Sequence, residues 1–300
     1  MRAIGKISGG VGSFSAIRRY VDQHGAEDLT LVFTDTMFED QDAYRFLISG
    51  AANLFGVQSF PLPAIADFPA WEDRPAFKQF VRDLSREAMA AIPGLLWLAD
   101  GRDPWDIYED RRFLGNSRID PCSAILKREI SDRWLAKNCN PSETVVIFGI
   151  DYEEIERFDD GAGHGIRPRR AAQGWTCVAP LCDAPYLSWA DRVSRLHAEG
   201  LWLPRLNARG FAHNNCGGFC CKGGQGHWKL MLRAFPERYA YAEHREREIR
   251  KMLGDVSMLS DRRGGDGKKP LTLETLRTRD LRPDEAAEMG ACACFFGEAA

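Results

Sequence analysis

Ser8-Gly9-Gly10-Val11-Gly12-Ser13 is a glycine-rich turn between an apolar run at residues 3–7 and an amphipathic segment at residues 14–21. The apolar run predicts a first strand, and the helical spacing of the apolar side chains that follow predicts a first helix. In such a turn the backbone N–H groups converge, and the helix N-terminus adds the positive end of its dipole. The stretch therefore predicts a phosphate-binding loop.

Further strands and helices alternate along the chain. Strands are predicted at residues 29–34 and 57–62 around a helix at residues 40–54. This βαβαβ order predicts a parallel sheet with right-handed crossovers. Residues 144–150 and 177–181 predict later strands, whereas the Gly- and Arg-rich residues 161–174 predict a mobile loop. We expect an α/β fold with a mostly parallel, twisted, five-stranded sheet and helices on both faces.

The composition changes near residue 200. Residues 1–200 are expected to form a nucleotide-binding α/β domain. Residues 201–300 are expected to form a cysteine-rich, mostly helical extension packed on that domain.

Bulk composition excludes several classes of protein. The net charge of −3 over 300 residues argues against a protein that depends mainly on attraction to polyanions. No apolar run approaches the roughly 18 residues of a membrane span, and no signal-peptide pattern is present. We therefore expect a cytoplasmic protein without a membrane partner. Its nine cysteines are bunched, which favours metal ligation or redox chemistry over a disulfide framework.

Charged residues at strand ends are candidates for ligand contact. Asp35 and Asp151 each follow a strand, at the sheet edge where open α/β folds bind ligands. Either could hold Mg²⁺ against phosphates, or could simply cap a helix. Lys127 could reach phosphate oxygens as a point charge. Four arginines form either a solvated charge run or a group that closes over phosphates or a nucleic-acid backbone: Arg157, Arg167, Arg169 and Arg170.

The cysteines allow three interpretations. Cys216 and Cys220 form one pair, and Cys292 and Cys294 form a second. Converging pairs would make a four-thiolate site for Zn²⁺ or an iron–sulfur cluster. Alternatively, Cys122 joins Cys216 and Cys220 in a three-thiolate cluster site beside the nucleotide. The third interpretation is free, buried cysteines.

Four motifs together resemble the adenine nucleotide alpha hydrolase superfamily, which includes N-type ATP pyrophosphatases and phosphoadenosine phosphosulfate (PAPS) reductases. The glycine-rich turn resembles the SGGxDS pyrophosphatase loop, with Gly12 replacing the loop aspartate. The other three motifs are residues 31–36 followed by Glu39, Pro121-Cys122-Ser123 with Lys127, and residues 148–151 with Glu154 and Arg157. Residues 214–228 look like a cysteine-bearing variety of PAPS-reductase-like proteins, some of whose relatives in DNA and tRNA sulfur modification carry iron–sulfur clusters.

The resemblance implies a Rossmann-like fold, a set of site residues and a class of reaction. The ligand would be ATP or a PAPS-like adenine nucleotide with Mg²⁺, and the metal group a [4Fe–4S] cluster or Zn²⁺. The expected nucleotide contacts are Ser8, Gly9, Gly10, Gly12, Ser13, Thr34, Asp35 and Gly149, and the expected catalytic residues are Asp35, Cys122, Lys127 and Asp151.

The expected function is that of an enzyme that adenylylates a substrate with ATP and couples this step to sulfur transfer. Its partners would include a nucleic-acid substrate and a sulfur-donor protein. One alternative is a sulfonucleotide reductase-like enzyme, in which a thiolate attacks sulfur. The other is a nucleotide-binding or regulatory module that has lost turnover, which Gly12 favours because the loop aspartate is absent.

Overall fold

A parallel five-stranded sheet forms the centre of the molecule. The computed structural model describes residues 1–57, 60–263 and 269–290. The strands of the sheet are β1 (Arg2–Ile7), β2 (Leu29–Asp35), β3 (Leu95–Ala99), β4 (Thr144–Ile147) and β5 (Thr176–Val178). Their spatial order is β3-β2-β1-β4-β5, and every neighbouring pair is parallel. The predicted Rossmann-like α/β fold is confirmed.

The two faces of the sheet carry separate apolar clusters, because successive side chains of a strand point to opposite faces. On β1, Ala3 and Ile7 pack in the larger cluster, whereas Ile4 packs in the smaller one. Both faces are covered by helices, as the near-continuous apolar strands require. The helices before β5 are α1 (Val11–His24), α2 (Gln41–Leu54), α3 (Arg74–Ala91), α4 (Pro104–Arg111), α5 (Pro121–Ser123), α6 (Ile130–Asn138), α7 (Ile155–Phe158) and α8 (Ile166–Ala171). A π-helical segment, Ala124–Glu129, joins α5 to α6.

The third strand differs from the prediction. The described part of residues 57–62 contains no strand, and β3 instead lies at Leu95–Ala99, after helix α3. Pro61 and Pro63 cannot donate to a strand ladder, which disfavours a central strand at the predicted place. The predicted mobile loop at residues 161–174 is also wrong in part, because it contains α8.

The C-terminal portion packs on the sheet domain. Its elements are α9 (Trp189–Ala198), α10 (Arg205–Ala208), α11 (Gln225–Ala234), α12 (Pro236–Leu253), β6 (Leu259–Asp261), β7 (Lys269–Leu271), α13 (Leu273–Thr278) and α14 (Pro283–Ala287). β6 and β7 pair antiparallel. Trp228 and Met231 of α11 belong to the same apolar cluster as Phe14 of α1. Within the described ranges, no helix is both long and apolar enough to cross a membrane.

Candidate functional site

A cleft of about 450 Å³ opens where the order of the strands reverses. β1 and β4 are neighbours in the sheet, but the chain leaves them towards β2 on one side and β5 on the other. Such a switch point separates the connecting loops and leaves a crevice at the carboxyl ends of the strands. The Ser8–Ser13 loop follows β1 and lines one wall, and Gly149 and Asp151 follow β4 and line another. We call this cavity the loop cleft.

The loop presents free backbone donors to the cleft. Ser13 Oγ accepts from the Ser8 N–H at 3.0 Å and donates to the Gly10 carbonyl at 3.0 Å, which closes the turn. Helix α1 begins without a side-chain cap and without an acid in its first turn. Among the described residues, no partner accepts the N–H groups of Val11, Gly12 or Ser13. Unsatisfied N–H groups and the helix dipole together favour an anion.

Two glycines shape the loop for steric reasons. Gly9 has φ of +69°, and a Cβ there would lie 3.0 Å from the Ala43 carbonyl oxygen. A Cβ on Gly149 would lie 2.5 Å from the Ser13 Cα. Only a glycine at position 149 therefore allows the chain after β4 to come this close to the loop. Of the predicted nucleotide contacts, Gly9 and Gly149 therefore have packing roles, and Gly149 also lines the cleft.

The wall opposite the loop is charged. Asp151 caps the following turn by accepting from the Glu153 N–H at 3.0 Å, and it pairs with Arg192 at 2.9 Å. Glu153, Glu154 and Arg157 also line the cleft. Asp151 thus combines the two predicted roles, helix cap and cleft residue. Carboxylates facing a helix N-terminus across a cleft could hold Mg²⁺ against bound phosphates.

The C-terminal portion closes the cleft with a residue that sequence reasoning missed. His213 lines the cleft, and neither of its buried ring nitrogens has a hydrogen-bond partner in the described parts of the chain. Burial, together with the nearby His227 and Lys127, lowers the pKa of His213 to about 3, so the ring is neutral. Both nitrogens are therefore available to a ligand, one as donor and one as acceptor.

Asp35 and Thr34 lie in surroundings that differ from those expected. Asp35 is fully buried and lines neither the loop cleft nor the cysteine cavity described below. Its carboxylate accepts from the Met37 N–H at 2.7 Å, the Tyr44 hydroxyl at 2.8 Å and the Trp97 indole at 2.9 Å. Burial and the neighbouring Glu39 raise the pKa of Asp35 to about 7. Three internal donors favour a structural role for Asp35, and Thr34 is buried outside both cavities.

A second, smaller cavity brings cysteines together from two distant parts of the chain. Cys122 of α5 meets Cys216, Cys220 and Cys221 of the C-terminal portion, and Lys127 also lines the cavity. We call it the thiol cavity. Its volume of about 10 Å³ holds roughly one water-sized group. The predicted set of ligands thus changes at one position, since Cys221 joins Cys122, Cys216 and Cys220. The predicted ligands Cys292 and Cys294 lie outside the described residues.

The thiols of the cavity differ in acidity. Cys221 donates a hydrogen bond to Cys122, and the Tyr108 hydroxyl lies 3.4 Å from the Cys122 sulfur. The hydrogen bond from Cys221 lowers the pKa of Cys122, whereas the same bond and burial raise the pKa of Cys221. Cys122 is therefore the thiolate-prone member of the pair, and a thiolate is the reactive form of cysteine.

A buried ion pair supports the cavity. The Lys127 ammonium lies 3.0 Å from Glu39 Oε1, and both side chains are 2 % exposed. Glu39 also accepts from the Cys216 backbone N–H and, at 3.1 Å, from the Thr36 hydroxyl. Cys216 has φ of +53°, a conformation that is strained for a residue other than glycine. Glu39 thus holds a strained cysteine in place, and Lys127 lies beside the thiols rather than at the loop.

The two cavities are adjacent along one segment. Asn214 donates to the Gly9 carbonyl at 3.4 Å, and Asn214 and Asn215 line the loop cleft. The next residue, Cys216, lines the thiol cavity, and Lys127 donates to Asn215 Oδ1 at 3.5 Å. The loop cleft and the thiol cavity are therefore lined by consecutive residues of one segment.

The metal prediction stays a prediction, because two of its ligands, Cys292 and Cys294, lie outside the described residues. Thiolates suit soft metals. However, the described residues contain no group of three or more Cys, His, Asp or Glu side chains arranged to hold a metal ion. A cavity with room for one water-sized group also has no space for a four-iron cluster. We therefore derive no step through a metal.

Most of the predicted arginine cluster lies away from the cleft. Arg170 pairs with Asp132, and Arg167 pairs with Asp159. Arg169 donates to the Gly165 carbonyl at 3.1 Å. Only Arg157 of the four lines the loop cleft. The interpretation as a solvated, paired charge run therefore holds for Arg167, Arg169 and Arg170.

The arrangement as a whole combines an anion-binding loop, a charged cleft and a reactive cysteine pair beside it. Comparisons with protein families, with curated proteins and with solved structures found no match to this chain.

Proposed function

We propose that this protein is an enzyme that adenylylates an acceptor with ATP and then replaces the activated oxygen by sulfur. The observation that carries the proposal is the adjacency of the two cavities. Asn214 contacts the phosphate-binding loop, and Cys216 lines the thiol cavity two residues later. An activated acceptor could therefore meet a sulfur nucleophile without leaving the protein.

The first step would take place in the loop cleft. The free N–H groups of Val11, Gly12 and Ser13 would bind the phosphates of ATP. An acceptor oxygen attacks the α-phosphate, which forms the acceptor–O–AMP bond and releases pyrophosphate. Preorganised N–H donors stabilise the charge that develops on the phosphate oxygens. Mg²⁺ would be held mainly by the phosphates of ATP, with a carboxylate from the cleft lining, such as that of Glu153, as its protein ligand.

The second step would use the thiol cavity. The Cys122 thiolate attacks the outer sulfur of a persulfide on a sulfur-donor protein, which forms a Cys122 persulfide and releases the donor's thiolate. The cavity has room for one added sulfur atom. The persulfide sulfur attacks the acceptor and displaces AMP, which leaves the acceptor joined to Cys122 through a disulfide. Cys221, at hydrogen-bond distance from Cys122, attacks that disulfide and releases the thiolated acceptor. The Cys122–Cys221 disulfide that remains requires reduction by an external dithiol.

A second candidate is a nucleotide-binding module without turnover. Gly12 favours it, because the loop position that carries a carboxylate in ATP pyrophosphatases has no side chain here. The charged lining of the cleft favours turnover, because it includes the carboxylates of Asp151, Glu153 and Glu154. A sulfonucleotide reductase-like reaction would also use Cys122, but on a nucleotide sulfur.

Pyrophosphate release is the decisive measurement. The natural protein is incubated with ATP and Mg²⁺, with single-stranded DNA, RNA and nucleosides as acceptors. Release that depends on one acceptor supports the enzyme, and ATP binding without release from any of them supports the binding module. A product formed from PAPS, but not from ATP, supports the reductase-like reaction.

Cysteine variants separate the two steps. We expect Cys122→Ser to keep pyrophosphate release and to lose sulfur transfer, because only the second step uses the thiol. Cys139→Ser is the matched control, since Cys139 lines neither cavity. Equal sulfur transfer by both variants would contradict the role of Cys122. Metal analysis of protein purified without oxygen tests the cluster independently.

A further inference from the structure

A groove of about 370 Å³ lies outside both cavities, between the segment after α4 and the β6–β7 hairpin. Arg112, Arg118 and Lys269 line it, and all three are exposed. Of the described residues that line the groove, none is acidic. The groove is therefore strongly positive on a chain whose net charge is −3. We call it the cationic groove.

The three cations have no partners within the described ranges. No ion pair or side-chain hydrogen bond involves Arg112, Arg118 or Lys269, whereas other exposed cations such as Arg86 and Lys251 pair with acids one helical turn away. Unpaired cations concentrated in one concave surface attract anions and raise their local concentration.

The other groups in the groove are donors or apolar. Asn116 uses its carbonyl oxygen to accept from the Arg118 and Ile119 N–H groups, so its amide NH₂ is available. Leu253, Val256 and Leu259 add apolar surface to the lining. Apolar surface offers nothing to free phosphate but suits the sugars and bases of a strand whose phosphates lie along the cations. The combination favours a nucleic-acid strand over a small anion.

The segment that carries the groove also packs against Cys221 of the thiol cavity. Gly115 lies between Arg112 and Arg118, and a Cβ on it would lie 2.9 Å from the Cys221 sulfur and 3.0 Å from the Tyr108 hydroxyl. The groove and the reactive thiols are thus on opposite sides of one stretch of backbone.

We propose that the cationic groove binds the phosphate backbone of an unpaired nucleic-acid strand. This inference rests on the proposed function in one respect, since it makes that strand the acceptor. The binding itself requires neither ATP nor turnover, so the two proposals can fail separately.

The test measures binding of a labelled, mixed-sequence, single-stranded DNA by fluorescence anisotropy at several salt concentrations. The test variant is Arg112→Gln, Arg118→Gln and Lys269→Gln together. The control variant is Arg86→Gln, Lys137→Gln and Lys251→Gln, which removes the same charge from exposed helical positions outside the groove. Circular dichroism establishes that both variants are folded.

Each phosphate contact to a single strand contributes about 0.7 to the slope of log K against log salt concentration. We therefore expect the test variant to lose about 2 from that slope and to bind about 100-fold more weakly at about 0.1 M salt. The control variant should bind as the natural protein does. Equal DNA binding by the two variants would overturn the proposal. The proposal would also be overturned if inorganic phosphate or phosphatidylserine vesicles bind in the groove and DNA does not.

Discussion

The contact between Gly149 and the Ser8–Ser13 loop gives a sharp test of how the site is built. A Cβ on Gly149 would lie 2.5 Å from the Ser13 Cα and 2.8 Å from the Ser13 backbone nitrogen. Carbon atoms in contact prefer about 3.5–4.0 Å, so Gly149→Ala must displace the loop by about 1 Å. Overpacking of this kind costs about 1–3 kcal/mol of unfolding free energy.

The functional effect should be larger than the loss of stability suggests. The free N–H groups of Val11, Gly12 and Ser13 must converge on one anion, and Ser13 is the residue that Gly149 would push. Misplacement of a binding group by about 1 Å can cost about 100-fold. We therefore expect Gly149→Ala to weaken ATP binding at least about tenfold, as measured by isothermal titration calorimetry on protein shown to be folded by urea unfolding.

Gly12→Ala is the matched control from the same cleft. The nearest atom to a Cβ on Gly12 is the Gly149 carbonyl oxygen at 3.5 Å, which is an ordinary contact. Alanine is also the better helix former in the first turn of α1, by about 1 kcal/mol. Gly12→Ala should therefore keep both stability and ATP affinity. If Gly149→Ala binds ATP as tightly as Gly12→Ala, the argument that Gly149 positions the loop is refuted.

Two further predictions concern buried charges. Glu39→Gln removes the carboxylate that lies 3.0 Å from the buried Lys127 ammonium, so the free energy of unfolding measured in urea should fall by about 3–5 kcal/mol. Glu248→Gln, in an exposed ion pair, is the control and should leave the unfolding midpoint unchanged. Burial lowers the pKa of Lys6 from 10.5 to about 8, so the folded chain binds fewer protons than the unfolded chain between these values and its stability rises with pH there. Lys6→Met should consequently be more stable than the natural protein at pH 7, by up to about 3 kcal/mol, and this difference in stability should disappear towards pH 10.5. A difference in stability that does not change with pH would count against this explanation.

Short-range patterns predicted much of the fold. The apolar run before Ser8 and the helical spacing after Ser13 predicted β1 and α1, which the structure confirms. Asp103 precedes Pro104, a local pattern typical of a capped helix, and Asp103 does accept from the Trp105 and Asp106 N–H groups. These features could be predicted because capping and periodicity depend on residues only a few positions apart.

Long-range packing determined the contents of the site. Asp35 ends a strand as predicted, but its carboxylate accepts hydrogen bonds from Tyr44 and Trp97 and does not line the cleft. Lys127 follows the predicted cysteine, yet its partner is Glu39 from another element. Neither outcome follows from local spacing, because each depends on which surfaces meet in the folded chain.

The sequence by itself determined the glycine-rich turn between β1 and α1, the parallel sheet and the bunching of the cysteines, since these are properties of neighbouring residues. The tertiary structure decided that Cys122 meets Cys221, that His213 closes the loop cleft and that one backbone segment separates the thiols from the cationic groove. In each case the residues that come together are far apart along the chain. Their meeting is fixed by the apolar core that the sheet and the C-terminal helices share.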